Sequence, residues 1–418
     1  MVDARLETAR RKVYEAIHAT KQPGFPTVHT VTFQPLGPRS NLDRLVSERW
    51  DIFGQHWMFL AVCDGHIGRN TSEYTVRNLP GRLRVPLEEV IQTSFNGRLE
   101  EKDRDAIARP IVMLLRDEIM QFDARLGQAV KEACPRPHKL SPEQRQQIIK
   151  EYEEILVRAF EGTTLALALI NLDLRLMWAA GVGDSTIAVA REVRNGVVRG
   201  ERLCELHTFR NPREYHGVVM PRPTSEKNIV DHYDKLLGWL SLSRAIGDHY
   251  VKLHGAFLDH LFRHLPSKRN MPFSSIVGRV VSPPYVSAEP HVRYIDLDRI
   301  WDLDPTVILF TDGVDNLVDG SLVFTPRVSS RAEPAEVVSA LLSDHYEPAQ
   351  ERLLGHPLEP KWSREEGNWA VDILGNLLGG RDPERLEKVM DRELLTSTSE
   401  DEVFHIDDVS IIVARLRR

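Results

Sequence analysis

The chain has 418 residues, with 54 Lys+Arg against 61 Asp+Glu for a formal net charge of −7, and 42% hydrophobic and 28% charged residues. That balance belongs to a globular chain and excludes disordered, fibrous and membrane-embedded classes. No apolar run approaches the ~18 residues of a spanning helix, the mild acidity argues against nucleic acid or an anionic membrane as main partner, and three scattered cysteines (Cys63, Cys134, Cys204) form neither a disulfide framework nor a zinc motif.

In chain order, residues 2–20 read as an amphipathic helix carrying Arg5, Arg10, Arg11 and Lys12. A basic helix there suits a mitochondrial presequence, but Asp3, Glu7 and Glu15 oppose it, because transit peptides are poor in acids. A surface helix packed on the body is expected instead. No Gly/Ser or Pro-rich linker, repeat or low-complexity tract divides the remaining chain, so the expected organisation is an N-terminal helix over 1–25 and a single domain over 26–418.

Short β-rich runs occur at 57–63, 164–170, 176–180, 186–190, 306–311 and 409–414, each near the usual strand length. Helical periodicity marks 111–122, 142–160, 334–345 and 367–378. Ser141-Pro142 and Glu333-Pro334 put proline in a first helical turn, and Leu378-Gly379-Gly380 is a stop signal. Without a regular βαβ alternation, the pattern favours an α+β layered architecture over a doubly wound sheet. The stretches 204–235 and 253–283 resist assignment, and loops that long are usually functional or insertions.

Asp residues follow the strands repeatedly: Asp64 in Asp64-Gly65-His66, Asp184 in Gly183-Asp184-Ser185, Asp248 in Ser243-Arg244-Ala245-Ile246-Gly247-Asp248, Asp312 in Asp312-Gly313, and Asp407-Asp408 before the last strand. Strands of one sheet end near one another, so these carboxylates can converge. Like charges that close raise each other's pKa unless a cation lies between them. Oxygen ligands without a His/Cys set favour a hard ion, Mg²⁺ or Mn²⁺. Each piece alone has an ordinary reading: Asp-Gly as a turn, Asp184 or Asp248 as a cap, His66 as a structural histidine. The set in this order is harder to dismiss.

With Gly162-Thr163-Thr164 added, the set resembles the metal-dependent serine/threonine protein phosphatases of type 2C. The resemblance runs from about residue 40 to the C-terminus. Segments from Leu206-His207 to Gly238, Pro283-Pro284-Tyr285-Val286, and Asn368-Trp369-Ala370 look like the pyruvate dehydrogenase phosphatase branch. The fold it implies is a four-layer α-β-β-α sandwich, with 204–235 as a mobile flap that selects the protein substrate and 253–283 as a second insertion.

The same resemblance implies two Mg²⁺ or Mn²⁺ ions, with room for a third. Asp64 would bridge two of them, the Gly65 carbonyl would bind one, and Asp312 and Asp407 would complete the other. Asp184 and Asp248 would stand near the third. His66 would protonate the leaving serine or threonine oxygen while a water held between the ions attacks phosphorus. Arg39, or else Arg44, would bind phosphate, and Asp43 matches an acid of the family motif. Leu42 departs from the pattern: it stands where the family has a metal-binding Glu, and a leucine cannot ligate.

The leading expectation is hydrolysis of phosphoserine and phosphothreonine in proteins by a monomer, in the cytoplasm or the mitochondrial matrix, with no nucleic-acid or membrane partner. The rival is a pseudophosphatase that keeps the fold as a binding or regulatory module, with Leu42 as its best evidence. Hydrolysis of small phosphoesters is a third reading, since catalytic residues do not name a substrate. Cys63, inside a strand, reads as packing rather than as a nucleophile.

Overall fold

A computed structural model describes residues 2–24, 27–37, 41–194, 196–226, 228–266, 271–324, 328–397 and 404–417. The strands are β1 (Ile17–Gln22), β2 (Thr27–Phe33), β3 (Arg44–Ile52), β4 (Gln55–Cys63), β5 (Gly65–His66), β6 (Gly162–Thr163) and β7 (Leu165–Asn171). They continue with β8 (Leu176–Val182), β9 (Thr186–Arg194), β10 (Val197–Arg202), β11 (Ile246–Gly247), β12 (His291–Asp296), β13 (Thr306–Phe310) and β14 (Val409–Arg415).

Two antiparallel sheets result, in the orders β1-β2-β14-β13-β9-β10 and β12-β8-β7-β4-β3, with a small third sheet β11-β6-β5. Their residue pattern explains the layers. In β4, Met58, Leu60 and Val62 face the other sheet, where they meet Ile187, Val189, Val307, Leu309 and Ile412. The alternating set Trp57, Phe59 and Ala61 faces outward onto helices. A strand buried on both faces reads as an unbroken apolar run, which is why β4, β7, β8, β13 and β14 were legible.

Helices Asn70–Phe95, Arg104–Ala133 and Pro142–Phe160 cover the five-stranded sheet through Leu83, Leu87, Ile111, Leu115, Leu156 and Phe160. Helices Val2–Ala16, Asp312–Asp319, Pro334–Ala340 and Trp369–Leu378 cover the six-stranded sheet. The expected α+β four-layer sandwich is therefore the observed architecture.

Local signals set several ends. Ser141 Oγ accepts from Gln144 N at 3.2 Å while Gln144 Oε1 accepts from Ser141 N at 2.9 Å, a reciprocal cap that starts the helix at Pro142. The helix from Pro334 stops at Ala340 rather than 345. The N-terminal helix ends at Ala16, short of the expected 20, because residues from Ile17 onward pair with β2 as an edge strand. Helix Asn70–Phe95 runs through Pro80 and Pro86, residues that hide a helix from sequence reading.

The described part of 204–235 contains helix Pro212–Val219 and buries Phe209, Val219, Ile229 and Val230 in the core beneath the helices. Met220 and Tyr233 remain outside, 64% and 70% exposed. Within 253–283, Phe257, Leu258, Phe262 and Ile276 join the same core.

Candidate active site

The small third sheet assembles the site. It sets Gly65 opposite Thr163 and His66 opposite Gly162, while Ile246 pairs with Thr163 and Gly247 with Gly162. Three motifs far apart in sequence thus lie side by side. Thr163 Oγ1 donates to the Asp64 carbonyl at 2.8 Å, and Asp64 N donates to Thr164 Oγ1 at 3.0 Å, so the Gly-Thr-Thr strand fixes the Asp64 backbone. Thr164 Oγ1 lies 2.6 Å from Ser185 Oγ, which ties in the Gly-Asp-Ser turn.

Close approach explains two glycines. A Cβ on Gly162 would fall 2.1 Å from His66 Nε2 and 2.3 Å from Asp248 Oδ2. One on Gly65 would fall 2.6 Å from the Leu42 carbonyl.

Asp64, Asp184 and Asp312 each present a carboxylate oxygen within 4.8 Å of the others. Asp64 follows β4, Asp184 lies in the turn between β8 and β9, and Asp312 opens the helix that follows β13. Burial, and then the neighbouring carboxylates, hold Asp64 and Asp312 well above the usual carboxylate range. Burial, with Asp315 and Asp407 adding, pushes Asp184 up to about 7. Negative charge packed this closely, with only the partial opposing pull of Arg202 and His405, is the electrostatic signature of a cation site. These oxygen donors fit a hard divalent ion.

The remaining acids are placed as follows around the trio. Asp184, assigned by resemblance to an outer position, belongs to the tight trio, whereas Asp407 does not; it adjoins Asp408 N at 2.9 Å and raises the carboxyls of Asp43, Asp64, Asp184 and Asp312 through its charge. Asp248 is also outside the trio. Fully buried, it bonds His66 Nε2 through Oδ2 at 2.7 Å, and its Oδ1 has no hydrogen-bond partner among the described residues.

The Asn41–Arg44 segment lies against the cluster. Asp43 is 2% exposed; its Oδ2 accepts from Thr311 Oγ1 at 2.8 Å and its Oδ1 has no hydrogen-bond partner among the described residues. Burial, then Asp408, keeps its carboxyl well above the usual range. Leu42 is held through its backbone: N donates to Asp408 Oδ2 at 2.7 Å and the carbonyl accepts from Ser72 Oγ at 2.7 Å. Arg44 donates to the carbonyls of Asn41 (3.1 Å) and Asp43 (2.6 Å) and lies 3.4 Å from Glu73. Its guanidinium therefore braces the loop. Arg39, the other phosphate-binding candidate, lies outside the described residues. A cleft of about 380 Å³ opens beside Asp43 and Arg44, lined by His18, Thr20, Thr30 and Thr32.

Two acids escaped sequence reading. Asp315, one helical turn after Asp312, is pushed up to about 8 by burial against the opposing pull of Arg202. Its spacing from Asp312 was the available signal. Fully buried Glu161 accepts from Asn70 N at 2.6 Å and Asn70 Nδ2 at 3.0 Å, capping the helix behind His66. Cys63 is fully buried and its thiol is held far above the usual range, first by burial and then by Asp43, as suits packing.

A two-sheet sandwich with acids gathered at its strand ends belongs to the class of folds whose donors suit a hard divalent ion. Residues 40–325 match the family model for protein phosphatase 2C, and the chain belongs to that family. It is 29% identical to human pyruvate dehydrogenase phosphatase 1, a mitochondrial protein, over 163 residues that make up 38% of this chain and 29% of that protein. It is 23% identical over 359 residues to a protein phosphatase 2C homologue of Schizosaccharomyces pombe, covering 86% of this chain and 73% of that one. The crystal structure of a Toxoplasma gondii serine-threonine phosphatase 2C superposes with a TM-score of 0.50 at 15% identity, covering 96% of this chain and 98% of that one, and shares the fold. The family is metal-dependent in general, and no helix among the described residues is long and apolar enough to cross a membrane.

Proposed function

We propose that the chain hydrolyses phosphoserine and phosphothreonine in proteins with the help of divalent metal ions. The observation that carries this reading is the trio Asp64, Asp184 and Asp312 beside the His66–Asp248 pair. Asp64, Asp184 and Asp312 would hold Mg²⁺ or Mn²⁺, with Asp407 and the Gly65 carbonyl as the further donors that the family resemblance supplies. Bound ions lower the pKa of water and neutralise charge on phosphoryl oxygens.

The protein's own part is positioning and proton transfer. Asp248 Oδ2 engages Nε2 of His66 and orients the ring; in the imidazolium form Nε2–H is held by Asp248 and Nδ1 carries the second proton, offered to the substrate. As the attacking water oxygen bonds to phosphorus and the ester P–O bond breaks, the departing seryl or threonyl oxygen takes the proton from Nδ1. Burial of the carboxylates lowers the local dielectric, which strengthens every charge interaction with the phosphoryl group. No protein nucleophile is required. The relatives that carry a mitochondrial name support a mitochondrial location for this chain.

The second reading, a binding module without turnover, draws on Leu42: this residue is held through its backbone N and carbonyl, and its side chain has no oxygen to offer a second ion. One experiment separates the two. A phosphothreonine peptide and an aryl phosphate are offered with Mn²⁺, Mg²⁺ or EDTA to the wild type and to Asp312→Asn. Metal-dependent turnover by the wild type, absent from a folded Asp312→Asn, supports the phosphatase. Folded wild type without turnover at any millimolar metal concentration supports the binding module.

A further inference from the structure

We propose that Asp123 is a positioning residue for phosphoester hydrolysis: from the middle of helix Arg104–Ala133 it holds the turn that carries Asp248, and through Asp248 it sets the ring of His66. The inference rests on the reading of His66 as proton donor.

Asp123 is buried, only 7% exposed, on a helix that contributes no residue to the carboxylate trio. Its contacts run to one loop. Oδ1 accepts from Gly247 N at 2.8 Å and from Lys252 Nζ at 2.8 Å, and Lys252 Nζ also donates to the Ala245 carbonyl at 2.7 Å. The Asp123 carbonyl lies 3.0 Å from His249 Nε2. One turn further along the helix, Gly127 makes room for that ring, since a Cβ there would fall 2.7 Å from it. The helix thus grips the loop on both sides of Asp248.

The loop needs such a grip. Gly247 has φ +86° and Asp248 φ +52°, so a non-glycine residue is held in the left-handed region. The Asp248 carboxylate has one hydrogen-bond partner among the described residues, His66. Its aim is therefore set by its backbone, which is tied at Asp248 N to the Glu161 carbonyl (3.0 Å) and at Gly247 N to Asp123. Burial alone would raise the Asp123 carboxyl, but Lys252 and His249 hold it well below the usual range, so it remains an ionised acceptor for both donors.

Misplaced, His66 fails as an acid, and that failure has a chemical signature. An aryl phosphate with a good phenolate leaving group departs without a proton, whereas a threonyl oxygen needs one. Simple loss of folded protein lowers both rates equally. The test compares kcat on p-nitrophenyl phosphate and on a phosphothreonine peptide for wild type, Asp123→Asn and His66→Gln, all with saturating Mn²⁺ and with the Mn²⁺ requirement measured in parallel.

Asp123→Asn is expected to lose about tenfold or more on the peptide, within the range general acids contribute, and less than about twofold on the aryl ester, with KM and Mn²⁺ dependence unchanged. Equal losses on both substrates, or no loss on either, overturn the proposal when His66→Gln does discriminate between them. If His66→Gln itself fails to discriminate, the proton-donor reading falls and this inference with it. Should Asp123→Asn not fold, Lys252→Gln loosens the same loop from its other side, and the same two outcomes decide.

Discussion

Replacing one carboxylate of the trio should stabilise the metal-free protein and remove its response to metal. Asp184 is pushed up to about 7 from an ordinary 3.8 by burial and neighbouring acids. A raised folded-state pKa contributes stability that is fully present below about 4 and is lost as pH rises through about 7. By pH 8 the ionised carboxylate costs at most about 4 kcal/mol relative to the unfolded chain. With an unfolding entropy of about 2.1 cal/mol/K per residue, a chain this long shifts its Tm by about 1 °C per kcal/mol. In EDTA at pH 8, Asp184→Asn should therefore melt about 3–5 °C above the wild type. At pH 5.5 the gain should fall to roughly half. Millimolar Mn²⁺ should reverse the order at pH 8, raising the wild type and leaving the variant nearly unmoved. Melting followed by intrinsic tryptophan fluorescence reads all three conditions. Equal melting of the two proteins in EDTA at pH 8, or an equal Mn²⁺ shift in both, would refute the electrostatic argument.

Three further outcomes rest on the geometry. Leu42→Glu supplies an oxygen where the family has one and should lower the Mn²⁺ concentration for half-maximal turnover; an unchanged value means the Leu42 position does not face an ion. Gly162→Ala drives a methyl into His66 and Asp248, so it should cost about 1–3 kcal/mol of stability and lower peptide turnover beyond that; wild-type kinetics and melting would contradict the close approach. Combined Met220→Ala and Tyr233→Ala, at the exposed residues of the 204–235 segment, should slow turnover of a folded phosphoprotein while sparing an aryl phosphate; parallel losses would show that the segment does not select substrate.

Much of the fold was legible because its central strands are buried on both faces and therefore uniformly apolar. Among the strands that escaped, β3, β10 and β12 mix charged residues such as Glu48, Arg199 and Arg293 with apolar ones because they lie at sheet edges, whereas β2, an inner strand, was obscured by its threonines and His29. Helix Asn70–Phe95 was hidden by prolines that its packing tolerates. In the site, an Asp at a strand end is a local signal, and so Asp64, Asp184 and Asp312 could be named. Which of them draw close together is a tertiary matter: Asp64, Asp184 and Asp312 gather within 4.8 Å, with no local trace of that grouping in the sequence. The His66–Asp248 bond spans 182 residues of sequence and has no local trace. Asp123 lies in a charge-rich helix among Arg116, Asp117 and Glu118, where an acid reads as solvent-facing.

The measurement that bears most directly on the account is a Mn²⁺ titration in which bound ion, by electron paramagnetic resonance, and turnover of a phosphothreonine peptide are followed in the same samples. The account predicts that turnover rises with occupancy of the Asp64–Asp184–Asp312 site and that both vanish together in Asp312→Asn. Full Mn²⁺ occupancy without turnover, or turnover that persists when no Mn²⁺ is bound, would contradict it.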